Sequence, residues 1–416
     1  MCGLLAGAMP AAAQNAAPPR PASRTLADVA ASETVTARSR PEYDAIGIAA
    51  GGFRLYPTLQ IQGGYDDNIY NIDTGKVSDG LVRVAPRVVA QSNWSRHSLV
   101  VSTGGQFERY FDRSTENNDQ YDISAVGRID AFSTAAINGG ASYARRVEPR
   151  GTLGDVLIGG ERIRYDLATA RLSATNEFGR ILFTAGGTFS SFNYLPVRLN
   201  GTTVTQDYRD RHEATALLRA DYVVGPGIRM FASGNFNDQN YRQSLAGLNQ
   251  DSRGFSILGG VVFGVNEFLS GEVGIGYLKQ YYRQPGLGDI GGFSYNARAI
   301  WNPTALVTVT GTAARTVQQS PFVNQAGIVQ DSLGVNIDYE LLRNLIVSAT
   351  GQFISNDYQD VSRSDRLWLV EARARYLVNR WMEVGATVNH RFQTTSNTLG
   401  REYAGSSILF GITLKR

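Results

Sequence analysis

From about Phe53 to Leu414, every second residue is apolar over runs of ten or so positions, and each run ends at a turn. Met382, Val384, Ala386 and Val388, alternating with Glu383, Gly385, Thr387 and Asn389, show the rhythm. A strand sends successive side chains to opposite faces, so each run has one greasy face and one wet face. Arginines and carboxylates recur on the wet faces, and aromatic residues gather at the ends of runs. A soluble sandwich would bury the greasy faces against each other. Here the arrangement fits a closed sheet with lipid outside and water inside. The expected fold class is all-β: a transmembrane antiparallel up-and-down β-barrel.

The runs predict strands over residues 53–65, 80–92, 97–111, 119–132, 135–147, 162–176, 180–194, 207–223, 228–240, 252–264, 268–282, 291–301, 305–317, 328–339, 344–357, 364–378, 381–393 and 402–415. That makes about eighteen, an even number, as bacterial single-chain barrels have. Short turns at Ser92 to Arg96, Asn176 to Gly179, Val224 to Gly227, Asn302 to Thr304 and Asn379 to Arg380 alternate with longer polar loops. Those loops include Asp66 to Asp79, Glu148 to Gly160, Pro196 to Gln206 and Asn240 to Asp251. Short turns belong in the periplasm and long loops outside the cell, so both termini are expected on the periplasmic side.

Register can be checked on the aromatic residues, which a wrong reading would scatter over both faces. Tyr65, Phe107, Tyr121, Tyr143, Phe189, Phe236, Phe255, Tyr277, Phe293, Phe353, Trp368 and Phe392 share lipid-face parity near the outer rim. Trp94, Tyr222, Trp301, Tyr339 and Tyr376 do so near the turns. Two girdles result, at the levels where amphipathic rings meet headgroups.

The opposite parity carries the candidate chemistry. Arg87, Arg128, Arg171, Arg219, Arg298 and Arg373 fall near mid-height on the lumen side, joined by Arg83, Arg229, Arg375 and Arg391. Asp122, Asp130, Glu213, Asp221, Glu272, Asp338, Glu371 and Glu383 supply counter-charges. Eighteen strands are enough to enclose an aqueous channel unless loops or tails fill it. Charged rings there select permeants by field, and arginine offers a flat, multi-donor surface to carboxylates, phosphates and sugar hydroxyls. The alternative is that the two signs pair across neighbouring strands and stiffen the wall.

Composition narrows the classes. The alternation runs through a 416-residue chain without a change of character, so one sheet accounts for residues 53–416. Mean hydropathy is slightly polar, and no charge-free apolar stretch reaches the roughly 20 residues of a membrane-spanning helix. Aromatic residues at 10% and 45 glycines suit twisted, tightly turned strands. A net charge of +3 gives no reason to expect nucleic acid as a partner. Only Lys76, Lys279 and Lys415 are lysines, so arginine supplies all but three of the 40 basic residues.

Residues 1–16 read as the tail of an export signal: Cys2 to Met9 is apolar, and Pro10 to Ala13 offers a small-residue cleavage pattern near Ala13 or Ala16. No basic stretch precedes it, which points to a start upstream. Removal of Cys2 would leave a chain without disulfides. Residues 17–52 form a Pro- and Ala-rich periplasmic segment. Thr25 to Arg38 could make a short helix, but a disordered or partner-docked segment is the expectation.

Arg40, Pro41, Glu42, Tyr43 and Asp44, then Gly51 to Pro57, then Tyr65, Asp66, Asp67, Asn68, Ile69 and Tyr70, resemble the putative β-barrel porin-2 family, with continuity into Trp94, Ser95, Arg96 and His97. The resemblance implies an outer-membrane barrel of this size, commonly encoded with machinery for exopolysaccharide export. It also implies a polysaccharide as transported substrate and a periplasmic export protein as partner. It carries no catalytic residue and no cofactor. One departure is the end of the chain: Ile408, Phe410, Ile412 and Leu414 alternate as expected, but Lys415 and Arg416 follow where an aromatic usually closes such barrels.

Catalytic and metal readings find little. Gly286, Gly288 and Gly291 spell G-x-G-x-x-G between a loop and a strand, without the helix a dinucleotide site needs. His97, His212 and His390 have no metal-ligand spacing. His390 has lipid-face parity near the outer rim, as a barrel lipase would require, but spacing names no serine for it. Asp66, Asp67, Asn68 and Asp73 lack the spacing of a known calcium loop. No metal, cofactor or catalytic residue is expected. The reading is a conduit for secreted exopolysaccharide in the bacterial outer membrane. The alternatives are a general diffusion porin for small solutes and a structural barrel plugged by its own loops.

Overall fold

The structure, a computed structural model, describes residues 34–157, 160–199, 201–264, 268–397 and 400–416. Eighteen long strands follow one another in order: β1 Phe53–Asp66, β2 Asp79–Ser92, β3 Ser98–Tyr110, β4 Asn118–Asp130, β5 Ala135–Val147, β6 Arg164–Phe178, β7 Ile181–Tyr194, β8 Arg211–Gly225 and β9 Ile228–Tyr241. The second half contributes β10 Ser252–Gly264, β11 Leu269–Tyr282, β12 Ile290–Thr304, β13 Val307–Gln318, β14 Ile328–Leu342, β15 Leu345–Tyr358, β16 Ser364–Leu377, β17 Met382–Thr395 and β18 Tyr403–Lys415. Each pairs antiparallel with its sequence neighbours, and β18 returns to β1 with Leu59 opposite Leu414 and Ile61 opposite Ile412. Closure leaves no long edge to aggregate.

All long connections lie at one rim and all short ones at the other, where both ends of the barrel chain also fall. Residues 179–180 join β6 to β7 with Gly179 at φ +59°, the left-handed backbone that two-residue hairpins demand. Register slips by one step at Val223/Gly225, Trp301/Thr304 and Glu340/Leu342, so bulges tighten the short-turn rim at three hairpins.

Exposure follows the period of two. Ile123, Leu172, Leu218, Ile257, Ile275, Leu333, Val370 and Val388 are exposed on one face and together make a hydrocarbon band. Between strands the aromatics meet in rows. Trp368 lies level with Phe353 and Phe392, at ring-centroid separations of 4.5 and 6.1 Å. Phe189, Phe236, Tyr222, Trp301, Tyr339 and Tyr376 are exposed on the same side, and Trp94 sits edge-on to Phe53 at the short-turn rim.

Two departures from the expected elements have local causes. The strand foreseen from residue 207 begins at Arg211, because the Asp210 carboxylate takes the Tyr194 backbone N–H at 2.6 Å and Asp207–Arg209 coils into a 3-10 turn. The irregular loop foreseen from Pro196 to Gln206 instead holds a small hairpin, Val197–Leu199 against Thr202–Val204, seated on Ile163 and Phe192.

Residues 1–16, which the sequence reads as the tail of an export signal, and the rest of the chain to residue 33 lie outside the described residues. Over 34–50 the segment expected to be disordered or partner-docked packs on the barrel's own inward face. Thr34 to Arg38 makes a single turn, closed by Arg38 N–H to Thr34 O at 3.0 Å. Val35 is fully buried with Ile346 and Leu377 under Tyr43, and its N–H donates to Thr308 Oγ1 at 2.9 Å. Arg40 is 4% exposed and holds Glu340 at 2.6 Å. Ile48–Ala50 then folds back onto β1 at Gly51, which has φ +57°.

Candidate functional site

Because side chains alternate, the polar residues of eighteen strands converge on the enclosed side. The structure places Arg83, Arg87, Arg128, Arg171, Arg219, Arg229, Arg298, Arg373, Arg375 and Arg391 on that inward face, together with Glu213 and Glu371. Register then decides which arginine meets which acid. Arg87 reaches across β3 to Asp122 on β4 at 2.9 Å, over Gly104, whose missing side chain leaves the guanidinium room. Arg83 pairs with Glu108 at 2.6 Å, and Arg128 with Asp130 at 2.7 Å. Arg219 grips Asp221 and Glu272 while lying 4.0 Å over the Phe231 ring. Arg211, which the sequence did not single out, holds Glu213 at 2.8 Å. Arg373 pairs with Glu371 at 2.9 Å, and Arg375 approaches Glu383 at 3.9 Å. Arg128, Arg211, Arg219 and Arg373 thus each pair with an acid two residues away on their own strand, while Arg83, Arg87, Arg219 and Arg375 reach acids on other strands. Arg171, Arg229 and Arg298 have no carboxylate partner among the described residues.

The long-loop rim is roofed by a second network that strand periodicity could not show. Arg150, in the loop after β5, is buried between Glu116 at 2.6 Å and Asp155 at 3.1 Å. Arg401 comes from beside β18 to the same Asp155 at 2.6 Å. Asn71, in a left-handed conformation at φ +50°, donates to Arg150 O at 2.6 Å and accepts from Arg391 Nε at 2.7 Å. Loops following β1, β3, β5 and β17 are thereby joined. Farther round, Arg209 bonds Glu148 and lies 4.1 Å over the Tyr194 ring. Gln250 donates to the carbonyls of Phe322 and Gln325. Burial pushes the Asp210 carboxyl up from the usual carboxylate range, against the opposing pull of the Tyr194 N–H and the Arg242 guanidinium.

Tyrosines tie this roof to the wall. Tyr194, Tyr358 and Tyr403 are buried at the loop ends of β7, β15 and β18. Tyr358 Oη donates to Asp365 at 3.1 Å, and Tyr403 Oη donates to Gly151 O at 3.3 Å. The recurring tyrosine at strand ends was the signal available for them.

At the opposite rim the 34–47 segment occupies part of the inward wall, held by Glu340, Thr308 and Ile346. Outside the barrel, register supplies the serine that spacing could not: His390 Nδ1 and Ser406 Oγ are 2.9 Å apart on the exposed face. Among the described residues no carboxylate orients that imidazole. The acids of the first outer loop serve the fold: Asp66 holds Arg391 at 2.8 Å, and Asp67 accepts the Ser406 N–H at 2.7 Å.

Comparison with known proteins gives one family match, described as Putative beta-barrel porin 2, over residues 40–416. Curated proteins give no match. Among solved structures, the outer membrane protein OpdK of Pseudomonas aeruginosa is similar at 11% identity, with a TM-score of 0.45, covering 87% of this chain and 99% of that one. The siderophore receptor PirA of Acinetobacter baumannii is similar at 8% identity and a TM-score of 0.44, covering 87% and 80%.

Proposed function

The chain belongs to the putative beta-barrel porin 2 family, and from that premise we propose that this porin-like channel of the bacterial outer membrane is the exit for a secreted polysaccharide. The observation that carries the reading is the inward face, a closed wall on which guanidinium groups recur from strand to strand with acids and hydroxyls between them. A polymer moving past such a wall exchanges many weak hydrogen bonds and never meets one deep trap. Arginine suits this task, because its planar fork bonds sugar hydroxyls and acidic groups without giving up its charge. The short-turn rim and the 34–47 segment face the periplasm in this reading, where an export protein would deliver the chain.

Deletion of the gene tests the proposal. Loss of surface or secreted polysaccharide with unchanged uptake of small solutes is the expected result. Normal polymer output with impaired small-solute uptake would instead make the protein a general diffusion porin.

A further inference from the structure

On the inward side, four rungs join β6 to β7: Thr169 to Ser190, Arg171 to Thr188, Ser173 to Gly186 and Thr175 to Thr184. The first and last are closed by hydroxyl hydrogen bonds of 3.2 Å each. The two between them stay open. Among the described residues, the side chains of Arg171, Thr188 and Ser173 make no hydrogen bond or ion pair, and neither do Asn138, opposite Ser173, and Thr215, opposite Thr188.

Two glycines keep this stretch bare. Gly140 stands opposite Arg171, and a Cβ there would come 3.1 Å from Arg171 Nε. Gly186 stands opposite Ser173, and a Cβ there would come 3.0 Å from that residue's own Cβ. What remains is a shallow recess of about 300 Å3 lined by Asn138, Arg171, Ser173, Thr188, Thr215 and Leu217. Elsewhere on this wall the mid-height guanidinium groups of Arg87 and Arg219 are already engaged by carboxylates.

We infer that this recess is a subsite for the carboxylate-bearing sugar units of an acidic polysaccharide. The inference rests on the conduit reading above and narrows its substrate class. A free guanidinium presents two parallel donors that match the two oxygens of a carboxylate. Hydroxyls and an amide beside it match the hydroxyls of a sugar ring, and Leu217 offers the ring's C–H face an apolar contact. Arg171 is exposed, so binding stays weak enough for the next unit to displace the last.

The test uses the full-length channel in planar bilayers, with trigalacturonate as the acidic probe and maltotriose as the neutral one. Wild type should show longer blockades with trigalacturonate. Arg171→Gln should shorten them about tenfold, the loss expected for a charge-assisted pair, and leave maltotriose events unchanged. Arg298→Gln, which removes another unpaired inward arginine, should shorten them far less. Ser173→Ala with Thr188→Val keeps the charge and should also shorten the acidic blockades, which covers the case of a poorly inserting Arg171 variant. No discrimination between probes in wild type overturns the subsite, as does equal shortening by Arg171→Gln and Arg298→Gln, which would mark a diffuse field. Either failure leaves the conduit reading to the deletion experiment, whose readout is polymer output.

Discussion

Arg219 shows what a single side chain contributes and how far sequence could foresee it. Parity alone put Arg219, Asp221 and Glu272 on one face. Only the side-chain contacts reveal that Arg219, from β8, takes Glu272 on β11 away from Arg298, which stands directly across from it. Side-chain alternation fixes a face but not a rung, which is why the inward arginines were legible as a set and their partners were not. Replacing Arg87, Arg219 and Arg373 together by Gln uncovers Asp122, Asp221, Glu272 and Glu371, so ion selectivity should move toward cations. The reversal potential in a salt gradient reads the shift, and an unchanged value would contradict the inward placement. The outer face obeys a different rule. Val388 lies midway along β17, level with Ala372 and Ile408, and Val388→Arg should impair insertion by roughly 2–4 kcal/mol. Val384, on the same face, is level with the girdle residue Tyr376, so Val384→Arg should cost only about 0–1 kcal/mol. Folding titrations into lipid vesicles compare the two.

Strands and loops differ in how they can be read. Strand limits came close because a period of two bounded by turns is a local signal. The loops fold over the long-loop rim through contacts distant in sequence, such as Arg401 to Asp155, which leave no periodic trace. The same holds for the 34–47 segment, whose few small apolar residues suggested disorder until Val35 and Tyr43 were seen against Ile346 and Leu377. Arg150→Ala strips the shared partner from buried Glu116 and Asp155. Arg162 and Arg401 remain beside them, so the local cost should sit near the low end for a broken buried pair, about 3 kcal/mol. Hydrogen exchange should then quicken over residues 148–157 while the strands stay protected. Arg40→Ala removes the shorter of two ion pairs to Glu340, leaving Arg38 at 3.6 Å, and should loosen the 34–47 segment toward protease without altering the barrel's electrophoretic mobility before heating. An equally resistant segment would mean that Arg38, the Val35 N–H bond to Thr308 and the apolar contacts of Val35 and Tyr43 suffice to hold it.

For the whole molecule, closure couples every strand: β18 completes the hydrogen bonding of β1, and no residue can change face without shifting its neighbours. The expected eighteen strands, their order and the closed antiparallel sheet follow from a rhythm present in the sequence throughout. What sequence could not give is how the two rims are covered, because that depends on which loops meet after the cylinder has formed. The division into a hydrocarbon face and a solvent face underlies the channel reading, the proposed substrate and the girdles alike.

The most direct measurement of that division is a cysteine scan of β17 from Glu383 to Arg391 in native outer membranes, after replacing Cys2. Reaction with a small, charged, membrane-impermeant thiol reagent is followed at each position. Reactivity should rise and fall with a period of two, high at 383, 385, 387 and 389 and low at 384, 386 and 388. Uniform reactivity, or the opposite phase, would contradict the account.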